Sequence, residues 1–239
     1  MTPLAFAVVS AAANLLGAWA VVRHLRRSLS LIEGCVAFGA GFMLAVGVVG
    51  VLPEVFHSLG GTGPALVLAG YLLVHLAQHV FTPHFHFGEE THRVSPSAGV
   101  SALLGLGIHT FFDGVAIASG FHVSATLGLL LFLGVFLHKL PEGVAVASVM
   151  LASGQAPRRA MQAAGVLGAA TVLGVLVTDL AAPLARYGLA VAGGVTLYVA
   201  ASNLVPEFQG KRRLSLPLAF FAGAGAFFLA RLALAGVTP

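Results

Sequence analysis

Eight apolar segments, each long enough to cross a lipid bilayer, constrain what this chain can fold into. A membrane-spanning helix needs about 20 mostly apolar residues. The segments that meet this requirement are 2–22, 31–52, 64–82, 98–119, 125–150, 160–181, 187–205 and 215–237. Only 8% of the residues are charged, against about 25% in a typical soluble domain. The sequence therefore predicts an all-α integral membrane protein, with eight transmembrane helices in one domain, residues 1–239, surrounded by lipid.

The basic residues between these segments indicate how the chain is oriented. If the N-terminus is outside, the cytoplasmic loops hold nine Lys and Arg residues and the outer loops hold two, Arg186 and Arg231. The nine are Arg23, Arg26, Arg27, Arg93, Arg158, Arg159, Lys211, Arg212 and Arg213. Cytoplasmic loops of membrane proteins carry an excess of Lys and Arg. We therefore expect both termini to lie outside. The expected location is the inner (plasma) membrane of a cell, and no nucleic-acid partner is expected.

A duplicated motif lies in the fourth and fifth segments. Residues 109–119 read HTFFDGVAIAS and residues 138–148 read HKLPEGVAVAS, with six of the 11 positions identical. In each copy a histidine precedes a carboxylate by four residues, and this spacing puts both side chains on one helical face. Ionisable side chains inside a membrane are costly and mark functional sites by default.

Packed together, the two motifs would form a cation site. The predicted ligands are two imidazoles and two carboxylates: His109, Asp113, His138 and Glu142. Such a ligand set suits Zn²⁺, with Fe²⁺, Mn²⁺ or Co²⁺ as alternatives. The other interpretation is a buried polar cluster that only holds helices together.

A second, weaker repeat involves two Pro-Glu pairs. The second segment ends in Leu-Pro-Glu, at Glu54, and the seventh ends in Val-Pro-Glu, at Glu207. These two segments are expected to run in opposite directions, as are the fourth and fifth. Inverted repeats around a midplane site are typical of transporters. The sequence thus predicts an inverted repeat of helices 1–3 and 6–8 around central helices 4 and 5. The alternative interpretation of the Pro-Glu pairs is that they only mark the ends of two helices.

These residues resemble the ZIP (Zrt-, Irt-like) family of divalent metal transporters, of the bacterial type. The family pattern is H-N-x-x-[DE]-G on the fourth helix and H-[END]-x-P-E-G on the fifth, and this chain reads HTFFDG and HKLPEG. The resemblance covers the whole chain. It implies a transporter rather than an enzyme, no cofactor, a homodimer, and metal flow toward the cytoplasm by alternating access. Zn²⁺ is the expected substrate, with Cd²⁺, Fe²⁺ or Mn²⁺ as alternatives.

The chain departs from the family at three positions. Many family members bind a second metal through the residue after each histidine and a Glu on the sixth helix. Here those positions are Thr110, Lys139 and Thr171. A protonated lysine has no lone pair for a metal. We therefore expect a mononuclear site, in which the Lys139 ammonium replaces the second ion and pairs with both carboxylates. The alternative is that Lys139 extends its ammonium away from the site.

Further polar residues are candidates for the metal pathway. Met43 is either a soft ligand or a core residue, and the other pathway candidates are Glu54, Asn203 and Glu207. Histidines at the end of the third helix and in the following loop predict a weak cytoplasmic metal relay: His75, His79, His84, His86 and His92. Because His-rich tracts are compositional signals, a cluster without function is the alternative.

An intramembrane zinc-dependent hydrolase is the alternative function. A catalytic zinc usually keeps three protein ligands and a water, and the sequence has no H-E-x-x-H motif. A proton or anion carrier that uses the same residues is a further alternative. The stretch GGTGP lacks the Gly-Lys-Ser/Thr ending of a P-loop, so transport is expected to be passive or driven by a gradient.

Overall fold

Across the residues that the computed structural model describes, 2–23, 29–81 and 96–235, the chain forms eight helices long and apolar enough to span a membrane. Numbered in chain order, they are α1 Pro3–Val22, α2 Leu31–Leu59, α3 Thr62–Val80, α4 Val100–Val123, α5 Ala125–Ala152, α6 Pro157–Leu180, α7 Ala182–Gln209 and α8 Ser215–Ala235. The predicted all-α membrane fold with eight spans is confirmed.

Local sequence explains several helix ends. Pro3 and Pro157 lie at the start of α1 and α6, where the missing N–H of proline is not needed and its fixed φ favours the helix. Ser124 caps α5, because its side chain accepts a hydrogen bond from the Leu127 amide at 3.1 Å. Gly154, just beyond α5, has a φ of 79°, a conformation that favours glycine.

The second and seventh spans both contain a π-helical turn. The second span combines Leu29–Ala45, a π turn at Val46–Val51 and Leu52–Leu59; the seventh includes Ala185–Tyr198, a π turn at Val199–Leu204 and Pro206–Gln209. The prolines of the two Pro-Glu pairs follow these turns at the start of a new α-helical segment, where proline is tolerated. The sequence placed the ends of both helices near these prolines; the structure continues both helices beyond them.

The helices pack as two bundles with matching contacts. The first bundle is α1, α4, α5 and α6, and the second is α2, α3, α7 and α8. Contacts between the bundles run mainly from α4 to α7 and from α5 to α2. The most extensive of these contacts correspond when α1 is exchanged with α6, α2 with α7, α3 with α8 and α4 with α5, as an inverted repeat requires. The helices α1 and α6 therefore pack directly on the central pair.

Glycines set the spacing within the first bundle. A Cβ on any of four glycines would overlap a carbonyl oxygen of the facing helix, because the backbones are nearly in contact. Small residues permit this close approach in membranes. The pairs are Gly17 with Leu140 and Gly143 with Asn14, between α1 and α5, and Gly114 with Thr171 and Gly174 with Phe111, between α4 and α6.

Candidate metal centre

Four side chains of the duplicated motif converge in the interior of the first bundle. Each of His109, Asp113, His138 and Glu142 is at least nine-tenths buried. One ligand atom from each lies within 4.8 Å of the others, and no other group of this kind occurs in the described part of the chain. We call these residues the four-residue cluster. The i, i+4 spacing puts each pair on one helical face, and packing of α4 against α5 joins the two pairs.

The spacing of the ligand atoms fits one tetrahedral ion. His109 Nε2 is 3.1 Å from Glu142 Oε2, and His138 Nε2 is 3.3 Å from Asp113 Oδ2. His138 Nε2 is also 3.8 Å from Glu142 Oε2. Two donors bound to one tetrahedral Zn²⁺ lie about 3.3 Å apart, because each is about 2.0 Å from the metal. Only small side-chain movements are needed to close the cluster around an ion.

The ring orientation of His138 also favours a cation at the cluster. Its Nδ1 donates a hydrogen bond to the Gly134 carbonyl oxygen at 3.0 Å. In the neutral ring this leaves a lone pair on Nε2, the nitrogen that faces Asp113. A lone pair and a carboxylate oxygen repel each other unless a proton or a metal ion lies between them. A fixed second nitrogen of this kind is usual for metal-binding histidines.

Lys139 is part of the site. Its Nζ lies 2.7 Å from Asp113 Oδ2 and 2.7 Å from Glu142 Oε2. The side chain is 0% exposed, so its ammonium does not reach toward the membrane surface. Buried charges are costly unless they are paired, and here one ammonium is shared by two carboxylates. The same two oxygens therefore contact both the histidines and the ammonium.

The two threonines at the departing positions behave differently. Thr110 Oγ1 donates to Glu142 Oε1 at 3.2 Å, and Lys139 Nζ donates to Thr110 Oγ1 at 3.4 Å. Thr171 is buried but its hydroxyl donates to the Leu167 carbonyl of its own helix, at 3.5 Å. Thr110 thus touches the cluster, whereas the contact found for Thr171 lies within α6.

Asn14 on α1 is a site residue that the sequence analysis missed. Its Nδ2 donates to Glu142 Oε1 at 3.0 Å, and the side chain is 0% exposed. With Ser10 it is one of two polar side chains in the apolar stretch Pro3–Val22. An amide in such a helix is a signal for a buried partner, because an unpaired polar group in an apolar environment is costly. The identity of that partner is not visible from α1 alone.

The accessory candidates lie in different parts of the fold. Met43 is 1% exposed and packs in an apolar cluster with residues of α3 and α7, including Val74 and Tyr198. Glu54 lines a cavity of about 310 Å³ where α2 and α8 end. Asn203 lies in the π turn of α7, and Glu207 follows that turn. Both are partly buried.

The predicted histidine relay is described only in part. His75 and His79 are exposed on α3, with ring centroids 4.0 Å apart. The Nδ1 of His79 donates to the His75 carbonyl oxygen at 2.8 Å. His84, His86 and His92 lie outside the described residues, so the relay stays a prediction.

Comparison with known families adds an independent finding. A protein-family model described as Zip, the ZIP zinc transporters, matches residues 84–231, which is more than half of the chain. The matched range contains the complete four-residue cluster. A search of curated proteins finds no match.

Proposed function

Because this chain belongs to the ZIP zinc transporter family, we propose that it carries Zn²⁺ across the membrane through one site, formed by the four-residue cluster. Family membership makes the chain an integral membrane transporter of divalent metal ions and not an enzyme, so the hydrolase alternative is set aside. The observation that carries the proposal is the convergence of four buried ligand side chains from two helices.

The types of the donor atoms, their number and the distances between them support a preference for Zn²⁺. Two imidazoles and two carboxylates are common zinc ligands, and structural zinc sites are almost always four-coordinate. The nitrogen–oxygen separations of 3.1 and 3.3 Å suit that geometry. Octahedral Mn²⁺ would need two further oxygen donors. Cd²⁺ and Fe²⁺ remain alternative substrates.

We further propose that the site holds one ion, with Lys139 in place of a second. The ammonium already contacts one oxygen of Asp113 and one of Glu142, so a second ion would have to compete with it for these oxygens. Two carboxylates and one ammonium leave the empty site with a charge of −1. One Zn²⁺ brings the charge to +1, whereas two ions beside the ammonium would leave +3 in a buried site, which is costly.

The route from outside begins at the cavity that contains Glu54. With both termini outside, as the positive-inside rule suggests, the ends of α2 and α8 face outward. The residues that line the cavity include the buried apolar side chains of Leu127, Leu130 and Phe227. On α5, Leu130 lies about two helical turns before His138. We therefore expect apolar residues such as Leu130 to lie between the cavity and the four-residue cluster, so that an entering ion needs a conformational change to reach the cluster.

The route to the cytoplasm is proposed to follow α7. In the same orientation, Asn203 and Glu207 lie toward the cytoplasmic end, beside a π turn of the kind often found at functional sites. The exposed pair His75 and His79 lies on the adjacent α3. An amide, a carboxylate and two imidazoles can receive a released ion. In this orientation the basic residues Arg158, Arg159 and Lys211 also lie at the cytoplasmic end.

Alternating access is proposed to come from movement of the first bundle against the second. The glycine contacts bring α1 close to α5 and α4 close to α6. Because backbones this close cannot slide freely past each other, α4 and α5 are expected to move together with α1 and α6. The remaining expectations, one domain over residues 1–239, a homodimer, and the plasma membrane as location, stay proposals.

The decisive test is metal flux into proteoliposomes. The double variant His138→Ala/Glu142→Ala removes one ligand of each type, and Zn²⁺ flux is expected to fall to the level of empty liposomes. The control Gly107→Ala changes an α4 residue whose Cβ position has no atom of another described residue within 4 Å, apart from its own helix and chain neighbours, and should transport normally. Unchanged flux in the double variant, with normal protein content, would show that the site is assigned wrongly.

A further inference from the structure

The first helix contributes a residue to the site, although its sequence resembles neither copy of the duplicated motif. We infer that Asn14 restricts Glu142 to binding the ion through one oxygen, and that it thereby selects four-coordinate Zn²⁺ over ions of higher coordination number. This inference rests on the proposed function, because it concerns the selectivity of the same site.

The two oxygens of Glu142 have separate partners. Oε1 accepts hydrogen bonds from Asn14 Nδ2 at 3.0 Å and from Thr110 Oγ1 at 3.2 Å. Oε2 faces His109 Nε2 at 3.1 Å and Lys139 Nζ at 2.7 Å. The oxygen held by Asn14 and Thr110 therefore points away from the ligand set, and the other oxygen faces it.

Because the two donors use both lone pairs of Oε1, two-oxygen binding by Glu142 would require Oε1 to lose at least one of them. The Asn14 amide is 0% exposed, and its Oδ1 already has no hydrogen-bond partner among the described residues. Loss of the Nδ2 bond would leave a second buried polar atom unsatisfied, which is expensive. The assignment of Nδ2 toward Glu142 follows from charge, because the amide oxygen would be repelled by the carboxylate.

Backbone packing keeps Asn14 in position. The Asn14 carbonyl lies against Gly143, where no Cβ fits, and Gly17, one turn further along α1, lies equally close to Leu140. These two contacts hold α1 against the α5 turn that carries Glu142. The Asn14 backbone is therefore held beside Glu142, so that its short side chain reaches Oε1.

The orientation of this carboxylate affects which ion is favoured. Tetrahedral Zn²⁺ needs one atom from each of four ligands. Mn²⁺ favours six oxygen-rich positions, and a two-oxygen Glu142 would supply one more. With Oε1 held by Asn14 and Thr110, the cluster offers four donor atoms. Binding of an ion that needs more than four ligands is therefore less favourable.

The test compares Zn²⁺ and Mn²⁺ flux in the same proteoliposomes. In Asn14→Ala, and in Asn14→Ser, whose hydroxyl is too short to reach Glu142, the KM for Zn²⁺ should rise and the Zn²⁺:Mn²⁺ preference should fall about tenfold, as for other partners of metal ligands. Thr110→Ala should shift the preference in the same direction. Ser10→Ala is the matched control, because Ser10 is equally buried on α1 and its hydroxyl has no hydrogen-bond partner among the described residues.

The flux ratio separates a role in selectivity from damage to the fold, because a smaller amount of folded protein lowers both fluxes equally. An unchanged ratio in whichever Asn14 variants accumulate in the membrane, and in Thr110→Ala, would overturn the inference. If His138→Ala/Glu142→Ala is inactive while these ratios are unchanged, the inference alone fails. If that double variant still transports, the proposed site itself is wrong.

Discussion

Lys139 is placed between two carboxylates that would otherwise face each other without a buried cation. Its ammonium contacts Asp113 and Glu142 at 2.7 Å each. Removal of one member of a buried ion pair is strongly destabilising, because the remaining charge is left without compensation. The same residue is therefore expected to stabilise the ion-free protein and to exclude a second ion.

The variant Lys139→Met removes the charge and keeps a long side chain. Without bound metal, it should be less stable than the parent protein by about 3–5 kcal/mol, and Zn²⁺ should raise its unfolding temperature more than that of the parent, because the ion supplies the missing charge. Thermal unfolding in detergent with and without Zn²⁺ measures both effects. Equal Zn²⁺-induced shifts, or two ions retained per parent chain at this site, would contradict the role.

Helix α5 illustrates how one element serves both packing and the site. Gly143 follows Glu142, and no Cβ fits between it and the Asn14 carbonyl. Gly114, which follows Asp113 on α4, lies against Thr171 on α6 in the same way. The glycine after each carboxylate therefore allows a neighbouring helix to approach the ligand-bearing turn. This explains why the duplicated motif continues with small residues.

The variant Gly143→Ala should separate α1 from α5. Added atoms in a tightly packed interior typically cost about 1–3 kcal/mol, so the unfolding temperature in detergent should fall, and Zn²⁺ flux with it. Gly107→Ala on α4 is the matched control, since no other part of the described chain packs within 4 Å of its Cβ position. It should be neutral or slightly stabilising, because alanine favours helices. Equal stability of the two variants would show that the close approach is unimportant.

The two-bundle arrangement predicts that a bond between the bundles stops transport. A Cβ on Gly134 of α5 would lie 3.5 Å from Met43 Cγ on α2, so the two positions face each other across the contact between the bundles, as a disulfide requires. We expect Met43→Cys/Gly134→Cys, made in a Cys35→Ser background, to lose Zn²⁺ flux on oxidation and to regain it on reduction. Flux that persists after the disulfide is verified by mass spectrometry would exclude movement of one bundle against the other.

The sequence by itself determined the eight spans and the four candidate ligands. Both follow from short-range regularities: helix length measured against bilayer thickness, and a four-residue spacing that brings His109 beside Asp113 and His138 beside Glu142. The convergence of the four was predictable because two copies of a costly polar motif each require a partner. The prolines after the π turns show the limit of such reading. The sequence placed helix ends near Pro53 and Pro206, whereas both helices continue beyond these residues.

Only the tertiary structure decided the direction of Lys139 and the part played by Asn14. The sequence left Lys139 with two orientations, and packing of α4 against α5 selected the buried one. Asn14 and Glu142 are 128 positions apart, and nothing in α1 alone indicates which helix lies against it. The sequence pattern of a helix shows which of its faces is polar. Which other helix packs against that face depends on where glycines allow two backbones that are distant in sequence to come close together.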